Sequence, residues 1–174
     1  MMIHTLPAKK ISYGEKRPLK EVKYIVIHYT GNRGDTARGN ASYFHSGNTR
    51  KAGAHLFVDQ RGRIYKSVKL SRIAWAVGGK KYQNCKTTGG GKYYGICTNK
   101  NSVSIEMCDM YKNVASPQMI RGLKDAVKYV RKYCPNARII IRHFDVNGKN
   151  CPGTMAIKES KEWRRLLLQI SSIF

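Results

Sequence analysis

The sequence predicts a single α/β domain, built on a central mixed sheet of about five strands with helices packed against it. Short runs of apolar, β-branched and aromatic residues alternate along the chain with segments of helical periodicity. The 174 residues contain no internal repeat and no linker to a second domain. A chain of this length is typically one domain, so we assign residues 1–174 to one unit.

Four segments predict the strands of the sheet. The run "EVKYIVIHYT" (residues 21–30) is continuously apolar up to His28, and "ARIIIRH" (residues 137–143) is a second such run that ends at His143. In "SVSIEMCD" (residues 102–109) apolar and polar residues alternate, which places Ser104 and Glu106 on one face. The segment "AGAHLFVDQRGRIYKSV" (residues 52–68) predicts a hairpin that turns at residues 60–63.

Three further segments predict helices, at residues 35–48, 116–133 and roughly 155–170. Asp35 or Thr36 is expected to cap the first helix, with Tyr43 and Phe44 directed inward. Ser116-Pro117 opens the second, which carries an apolar stripe. Between the hairpin and the alternating strand, residues 78–101 form a long loop that contains "TTGGG". Loops of this length in a compact domain are usually functional, so we expect it to border a groove.

Five cysteines, at positions 85, 97, 108, 134 and 151, argue against a disulfide framework because their number is odd and no secretory signal precedes them. Cys108 and Cys134 lie within apolar patterns and are expected to be buried thiols. Cys85 and Cys97 flank the glycine-rich loop, and a bond between them stays open. Cys151 precedes Pro-Gly in a polar loop, so packing in an apolar core does not explain a cysteine there and a chemical role has to be considered.

The charge balance is strongly basic, with 33 Lys and Arg against 10 acidic residues and a formal net charge of +23. Such a charge attracts polyanions: nucleic acid, anionic membranes or anionic wall polymers. The basic residues are scattered along the chain, which predicts a generally cationic surface. A simpler explanation of the excess positive charge is that it only keeps the protein soluble. No helix-turn-helix, RNP or zinc-finger pattern appears, which disfavours nucleic acid as a specific partner. The apolar runs are too short to cross a bilayer.

Two strand-end histidines and one cysteine suggest a metal site. If the strands that end at His28 and His143 are neighbours, both imidazoles emerge at one end of the sheet, and Cys151 follows on a short loop. Three such ligands leave a fourth position for water, as in catalytic zinc sites. Glu106 is then a candidate general base, and Lys149 a candidate partner for an oxyanion. From spacing alone, hydrogen-bonded structural histidines and a small residue in a turn remain an equally good explanation.

Five segments together resemble the type-2 N-acetylmuramoyl-L-alanine amidase family of phage lysins, autolysins and peptidoglycan-recognition proteins: "YIVIHYTGN", "GAHLFVDQRGRIYKSV", "RIAWAVG", "NSVSIEMCD" and "RHFDVNGKNCPG". They occur in family order over residues 24–153 or so. The resemblance implies one Zn²⁺ per chain on His28, His143 and Cys151. It also implies catalytic roles for Glu106 and Lys149, and cleavage of the amide between N-acetylmuramic acid and the L-alanine of the stem peptide.

The chain departs from the family pattern at two residue positions and in the length of one loop. Ala54 stands where some relatives carry a tyrosine of the catalytic site, so Glu106 is expected to handle more of the proton transfer. Trp75-Ala76 replaces a Trp-His pair, and the loop of residues 79–100 is longer than in many relatives. The last two differences concern the substrate groove, for which the candidate contacts are Trp75, Tyr94 and His55. For Trp75 and Tyr94, a core or surface role is an equally good explanation.

The resemblance also carries expectations about partners and location. Peptidoglycan is the expected substrate, anionic wall polymers are expected to bind the basic surface, and the chain is expected to be a monomer. Because the N-terminus "MMIHTLPAKK" has no apolar core with a cleavage site, we expect no signal peptide. The wall would then be reached from the host cytoplasm by holin-type release or another non-classical route. The alternative function is a non-catalytic peptidoglycan-binding module.

Overall fold

The sequence folds around one mixed β-sheet, and a computed structural model describes residues 1–111 and 114–171. Within these residues the strands are β1 (Ile3–Thr5), β2 (Tyr13–Lys16), β3 (Tyr24–Tyr29), β4 (Leu56–Val58), β5 (Ile64–Lys66), β6 (Arg72–Ala74), β7 (Ser102–Met107) and β8 (Ile139–Arg142). The helices are α1 (Ala37–Ser42), α2 (Cys85–Thr88), α3 (Pro117–Tyr133), α4 (His143–Asn147) and α5 (Lys161–Ser171).

Six strands form the central sheet, in the order β1-β5-β4-β7-β3-β8. The pair β4–β5 is the predicted antiparallel hairpin, and the other neighbours are parallel. The prediction of a mixed α/β sheet is confirmed, with one strand more than the five expected. The additional edge strand β1 reads Ile-His-Thr, and the two-stranded sheet of β2 and β6 is equally short. Segments of three or four partly polar residues carry too little periodicity to be recognised.

Side chains alternate between the two faces of the central strands. Ile25 and Ile27 of β3 belong to the main core, which also contains the apolar stripes of α3 and α5. Tyr24 and Val26 belong to a separate cluster on the opposite face, beside the long loop. Because successive residues of a strand point to opposite faces, His28 lies on the same side as Tyr24 and Val26. His28, at the end of β3, therefore lies on the face of the sheet away from α3 and α5.

The predicted helix α3 is confirmed: the Ser116 hydroxyl accepts a hydrogen bond from the Met119 amide, with Pro117 as the first helical residue. In α1, Thr36 is the capping residue rather than Asp35. This helix ends at Ser42 and continues as a π-helical turn over Tyr43–Gly47. The turn leaves Tyr43 40% exposed, not inward as expected, whereas Phe44 stacks on the buried Phe57.

The last helix begins at Lys161, not near Met155 as predicted. Gly153–Met155 forms a single 3-10 turn instead. The Arg142 guanidinium donates to the backbone carbonyls of Met155 and Ile157, so these carbonyls are engaged outside an α-helix. None of the helices that residues 1–111 and 114–171 form is long and apolar enough to cross a membrane.

All five cysteines are buried free thiols, and no disulfide forms within the part of the chain that the structure describes. The possible pair between Cys85 and Cys97 is not formed. The Cys85 thiol donates to the backbone carbonyl of Asn147 (3.3 Å), while Cys97 packs with Val26 and Val77 in the cluster beside the long loop. Burial raises the pKa of Cys97 to about 12. Its thiol therefore stays protonated at neutral pH and reacts poorly with oxidants, because the thiolate is the reactive form.

Candidate metal centre

The two strand-end histidines lie side by side. β3 and β8 are parallel neighbours, and their register pairs Ile27 with Arg142. The residues that follow these two, His28 and His143, therefore emerge at the same end of the sheet. The ring centroids of His28 and His143 are 4.7 Å apart. The expectation that these two strands are adjacent is correct, and the pairing register brings the imidazoles together.

The loop after β8 returns Cys151 to the histidines. Helix α4 ends at Asn147 and is followed by Gly148, whose φ of +87° suits glycine and whose missing Cβ leaves room for the Cys85 sulfur. The Phe144 amide then donates to the carbonyl of Cys151 (2.8 Å), which closes the loop. As a result, Cys151 Sγ lies 3.8 Å from His28 Nδ1. One ligand atom from each of the three residues lies within 4.8 Å of the others.

The buried polar atoms of this cluster fit a bound cation. Both ring nitrogens of His143 are buried and have no hydrogen-bond partner among the residues that the structure describes. An unpaired buried polar group costs about 1–3 kcal/mol, so a lone pair without a partner favours a ligand. Burial, together with the neighbouring His143, lowers the pKa of His28 well below its usual value. Burial likewise lowers the pKa of His143 to about 3. Both imidazoles are therefore neutral at pH 7, as a metal requires.

The third ligand depends on a cation. Burial raises the pKa of the Cys151 thiol above its usual range, partly offset by a hydrogen bond from the Tyr29 amide. A thiolate at this position therefore needs a metal beside it to form at neutral pH. Two imidazoles and one thiolate are the donors that zinc prefers, and three protein ligands leave one position open. The residues present thus fit a catalytic rather than a structural zinc site.

Glu106 and Lys149 face the same cluster. Glu106 is directly opposite His28 in the β3–β7 register, and its Oε1 lies 4.0 Å from His28 Nδ1. Its Oε2 is buried and has no hydrogen-bond partner among the described residues. Burial raises the pKa of Glu106 to about 7, although the positive charge of Lys149 acts in the opposite direction. A carboxyl group of this kind can both accept and return a proton near neutral pH.

The cluster lies in an open cavity of about 1450 Å³. Its lining includes residues of α1 and the π-helical turn, residues 50–53, residues 75–76 and residues 78–83. Residues 78–83 belong to the long loop, so its first part borders the cavity as expected. Trp75 also lines the cavity, with Lys51 Nζ 4.5 Å from the centre of its ring.

The other two groove candidates lie elsewhere. Tyr94 is 44% exposed but does not line the cavity, because its neighbour Tyr93 turns inward and packs edge-on against Tyr24. His55 is only 1% exposed and lies beneath the cavity floor, where Ser104 N–H donates to its Nδ1 (3.1 Å). The expected groove contact of His55 is thereby corrected, since a ring without exposed surface cannot touch a substrate.

The sequence reasoning missed Thr30. It follows His28 by two residues, so the alternation of an extended chain places it on the same side. Its hydroxyl oxygen is buried and has no partner among the described residues, and Thr30 lines the cavity. The period-two pattern of "YIVIHYT" was the signal that would have indicated it.

A family model described as N-acetylmuramoyl-L-alanine amidase matches residues 18–154, most of the chain. The chain belongs to this amidase family. Among curated members, the N-acetylmuramoyl-L-alanine amidase BlyA of Bacillus subtilis (strain 168) is 28% identical over 150 residues, which is 82% of this chain and 40% of BlyA. The amidase CwlL of Bacillus licheniformis is 28% identical over 139 residues, 77% of this chain and 37% of CwlL. The chain thus spans about two fifths of the length of these amidases.

Solved structures share the fold over almost the whole chain. The catalytic domain of PlyG has a TM-score of 0.66 and 25% identity, with 98% of this chain and 93% of that domain covered. A mutant endolysin from Bacillus subtilis has a TM-score of 0.69 and 20% identity, with 98% of this chain and 99% of the endolysin covered. The chain therefore has the same fold as these two solved structures over almost its whole length.

Proposed function

We propose that this chain is a zinc-dependent amidase domain that cleaves the amide between N-acetylmuramic acid and the L-alanine of the stem peptide in peptidoglycan. One observation carries the proposal: in a member of the amidase family, His28, His143 and Cys151 converge on one point of an open cavity, beside a buried carboxyl group. A zinc ion held by these three residues would supply Lewis acidity, which polarises a carbonyl and lowers the pKa of water to about 7.

Glu106 is the proposed general base and acid. Its unpartnered Oε2 accepts the proton of the attacking water, and the same oxygen later donates that proton to the nitrogen of the leaving L-alanine amine. Proton balance is kept, because the carboxyl group ends the cycle as a carboxylate. Its pKa of about 7 suits both steps, since the most effective acid–base groups titrate near the working pH.

Lys149 is proposed to stabilise negative charge on the former carbonyl oxygen. It lines the cavity and lies close enough to lower the pKa values of both His28 and His143 electrostatically. A cation beside a developing oxyanion stabilises the negative charge of the transition state. Trp75 and residues 78–83 would contact the sugar or the stem peptide, because they line the cavity.

The proposed place of action is the bacterial cell wall, where peptidoglycan and anionic polymers occur together. The basic surface would hold the protein on those polymers, and a monomer suffices because every proposed site residue comes from one chain. Release from the host cytoplasm, by a holin-type or another non-classical route, is part of the same proposal.

Mass spectrometry of digested sacculi tests the reaction. We expect new free amino groups on L-alanine and intact glycan strands that retain N-acetylmuramic acid. Elemental analysis should find one zinc per chain, and Cys151→Ser should weaken metal binding and abolish cleavage. New reducing sugar ends or cuts within the stem peptide would contradict the proposed bond. Zinc binding together with wall binding but no cleavage would instead identify a non-catalytic peptidoglycan-binding module.

A further inference from the structure

A serine on the neighbouring strand contacts the metal-ligand candidate His28. Ser104 Oγ lies 3.2 Å from His28 Nε2, and both side chains are almost completely buried. The other ring nitrogen, Nδ1, is directed toward Cys151 Sγ at 3.8 Å. The two ring nitrogens of His28 therefore face different partners: Nε2 faces the Ser104 hydroxyl, and Nδ1 faces Cys151.

Ser104 is itself held by the buried His55. The Ser104 amide donates to His55 Nδ1 (3.1 Å), and the His55 amide donates to the Ser104 carbonyl (3.1 Å). Because His55 Nδ1 accepts a hydrogen bond, its proton is on Nε2, which lies 3.0 Å from the carbonyl oxygen of Arg72. A continuous set of hydrogen bonds thus runs from β6 through His55 and Ser104 to His28.

We propose that Ser104 is a positioning residue for the metal centre. Its hydroxyl oxygen accepts the Nε2–H of His28, which leaves the lone pair of Nδ1 free and directed at the ligand position. The inference depends on the proposed zinc site and adds a residue outside the ligand set. Hydrogen-bond partners of this kind fix the tautomer and orientation of a ligating histidine, and their removal typically weakens metal binding by about 10–100-fold.

The first test measures zinc affinity by competition with a chromophoric chelator. Ser104→Ala should weaken zinc binding by about 10–100-fold. Ser104→Thr retains a hydroxyl on a β-strand, where β-branched residues are well accommodated, and should bind zinc nearly as tightly as the wild type. The matched control is Ser67→Ala, since Ser67 is also a buried serine but its hydroxyl has no partner among the described residues. Unchanged affinity in Ser104→Ala, or equal losses in Ser104→Ala and Ser67→Ala, would overturn the proposal.

The second test uses the wild-type protein alone and does not depend on enzyme activity. Nitrogen-15 NMR of the imidazoles in the metal-free wild type should show His28 as the tautomer protonated on Nε2. A His28 ring protonated on Nδ1 would refute the role of Ser104 directly. The outcomes also separate the two proposals: a wild type that binds no zinc contradicts the proposed function. Tight zinc binding that Ser104→Ala leaves intact contradicts only the positioning role.

Discussion

At the scale of single residues, Glu106 combines the properties that a general base requires at neutral pH. The β7 backbone fixes its position opposite His28, burial raises its pKa to about 7, and one carboxylate oxygen has no partner among the described residues. A structural carboxylate in a protein interior is normally paired or hydrogen-bonded on both oxygens. The free oxygen is therefore better explained by a substrate or water than by the fold.

Replacement of Glu106 by glutamine should separate catalysis from metal binding. Gln has the same shape but cannot accept a proton, so we expect turnover to fall by about 10²–10⁴-fold while zinc content stays at one per chain. Muropeptide cleavage and elemental analysis of the same sample provide the measurement. Glu159→Gln, an equal charge change at an exposed site, is the control. Near-wild-type turnover in zinc-loaded Glu106→Gln would show that another group transfers the proton.

His55 should make stability depend on pH. Burial, aided by the nearby charge of Arg17, lowers its folded-state pKa to about 3, whereas an unfolded histidine titrates near about 6.5. Between these values the unfolded chain binds the additional proton. The contribution of His55 is therefore complete above about pH 6.5 and decreases by about 1.4 kcal/mol for each pH unit below it.

Urea unfolding of metal-free protein at pH 7.5 and pH 5 measures this dependence. The other buried histidines, His28 and His143, contribute equally to the wild type and to His55→Gln, so the difference between the two proteins isolates His55. We expect the variant to be less stable at pH 7.5 but to lose less stability on acidification. Parallel pH profiles for the two proteins would contradict the assignment.

At the scale of elements, the long loop is attached to α4, the helix whose first residue is the proposed metal ligand His143. The amides of Tyr82, Gly91 and Tyr93 donate to three carbonyl groups of α4, at 2.8–3.0 Å. Its first residues line the cavity, whereas the later ones pack on α4 and on the cluster around Val26. The loop thus borders the cavity and also supports the segment that carries His143 and Cys151.

Gly90→Ala should disturb this attachment. A Cβ at position 90 would lie 2.8 Å from the Cα of Gly148 and 2.8 Å from Phe144 Cε2, so the loop and α4 must move apart. We expect a lower melting temperature and weaker zinc binding, measured by thermal unfolding and chelator competition. Gly78→Ala is the control, because the nearest atom to its added Cβ is 3.7 Å away. Equal behaviour of the two variants would mean that the loop does not support the metal centre.

At the scale of the whole molecule, the charge of +23 is distributed around the fold. The helices opposite the cavity carry exposed basic residues, among them Arg121, Lys128, Lys132, Arg164 and Arg165. A cation of this size accelerates encounter with an anionic surface by long-range attraction. The proposed contact with wall polymers can therefore be made by faces of the molecule that lie away from the cavity.

Salt should therefore affect walls and small substrates differently. The Debye length falls from about 10 Å at 0.1 M to about 3 Å at 1 M salt, which screens long-range attraction. We expect binding to whole walls and their lysis to drop steeply over this range, and cleavage of a small neutral muropeptide to change little. Walls stripped of anionic polymers should bind less protein. Equal salt sensitivity for both substrates would show that charge does not direct the protein to the wall.

The sequence alone determined the fold class, the long strands and helix α3, because local periodicity and capping chemistry fix these elements without knowledge of their neighbours. "YIVIH", "SVSIE" and "RIIIRH" could be recognised since each is continuous in the chain. The short strands β1, β2 and β6 were missed because their pairing partners, not their own residues, make them strands.

Only the tertiary structure decided how the site is assembled. The order of β8, β3 and β7 in the sheet brings His28 beside His143 and Glu106, and strand order is not encoded within any one strand. Neither burial nor hydrogen bonding could be inferred from residue type, so His55 was expected in the groove but lies beneath Ser104. The proposed roles of His28 and His143 as metal ligands, and of His55 behind Ser104, depend on contacts between residues far apart in the chain, and these contacts exist only once the chain has folded.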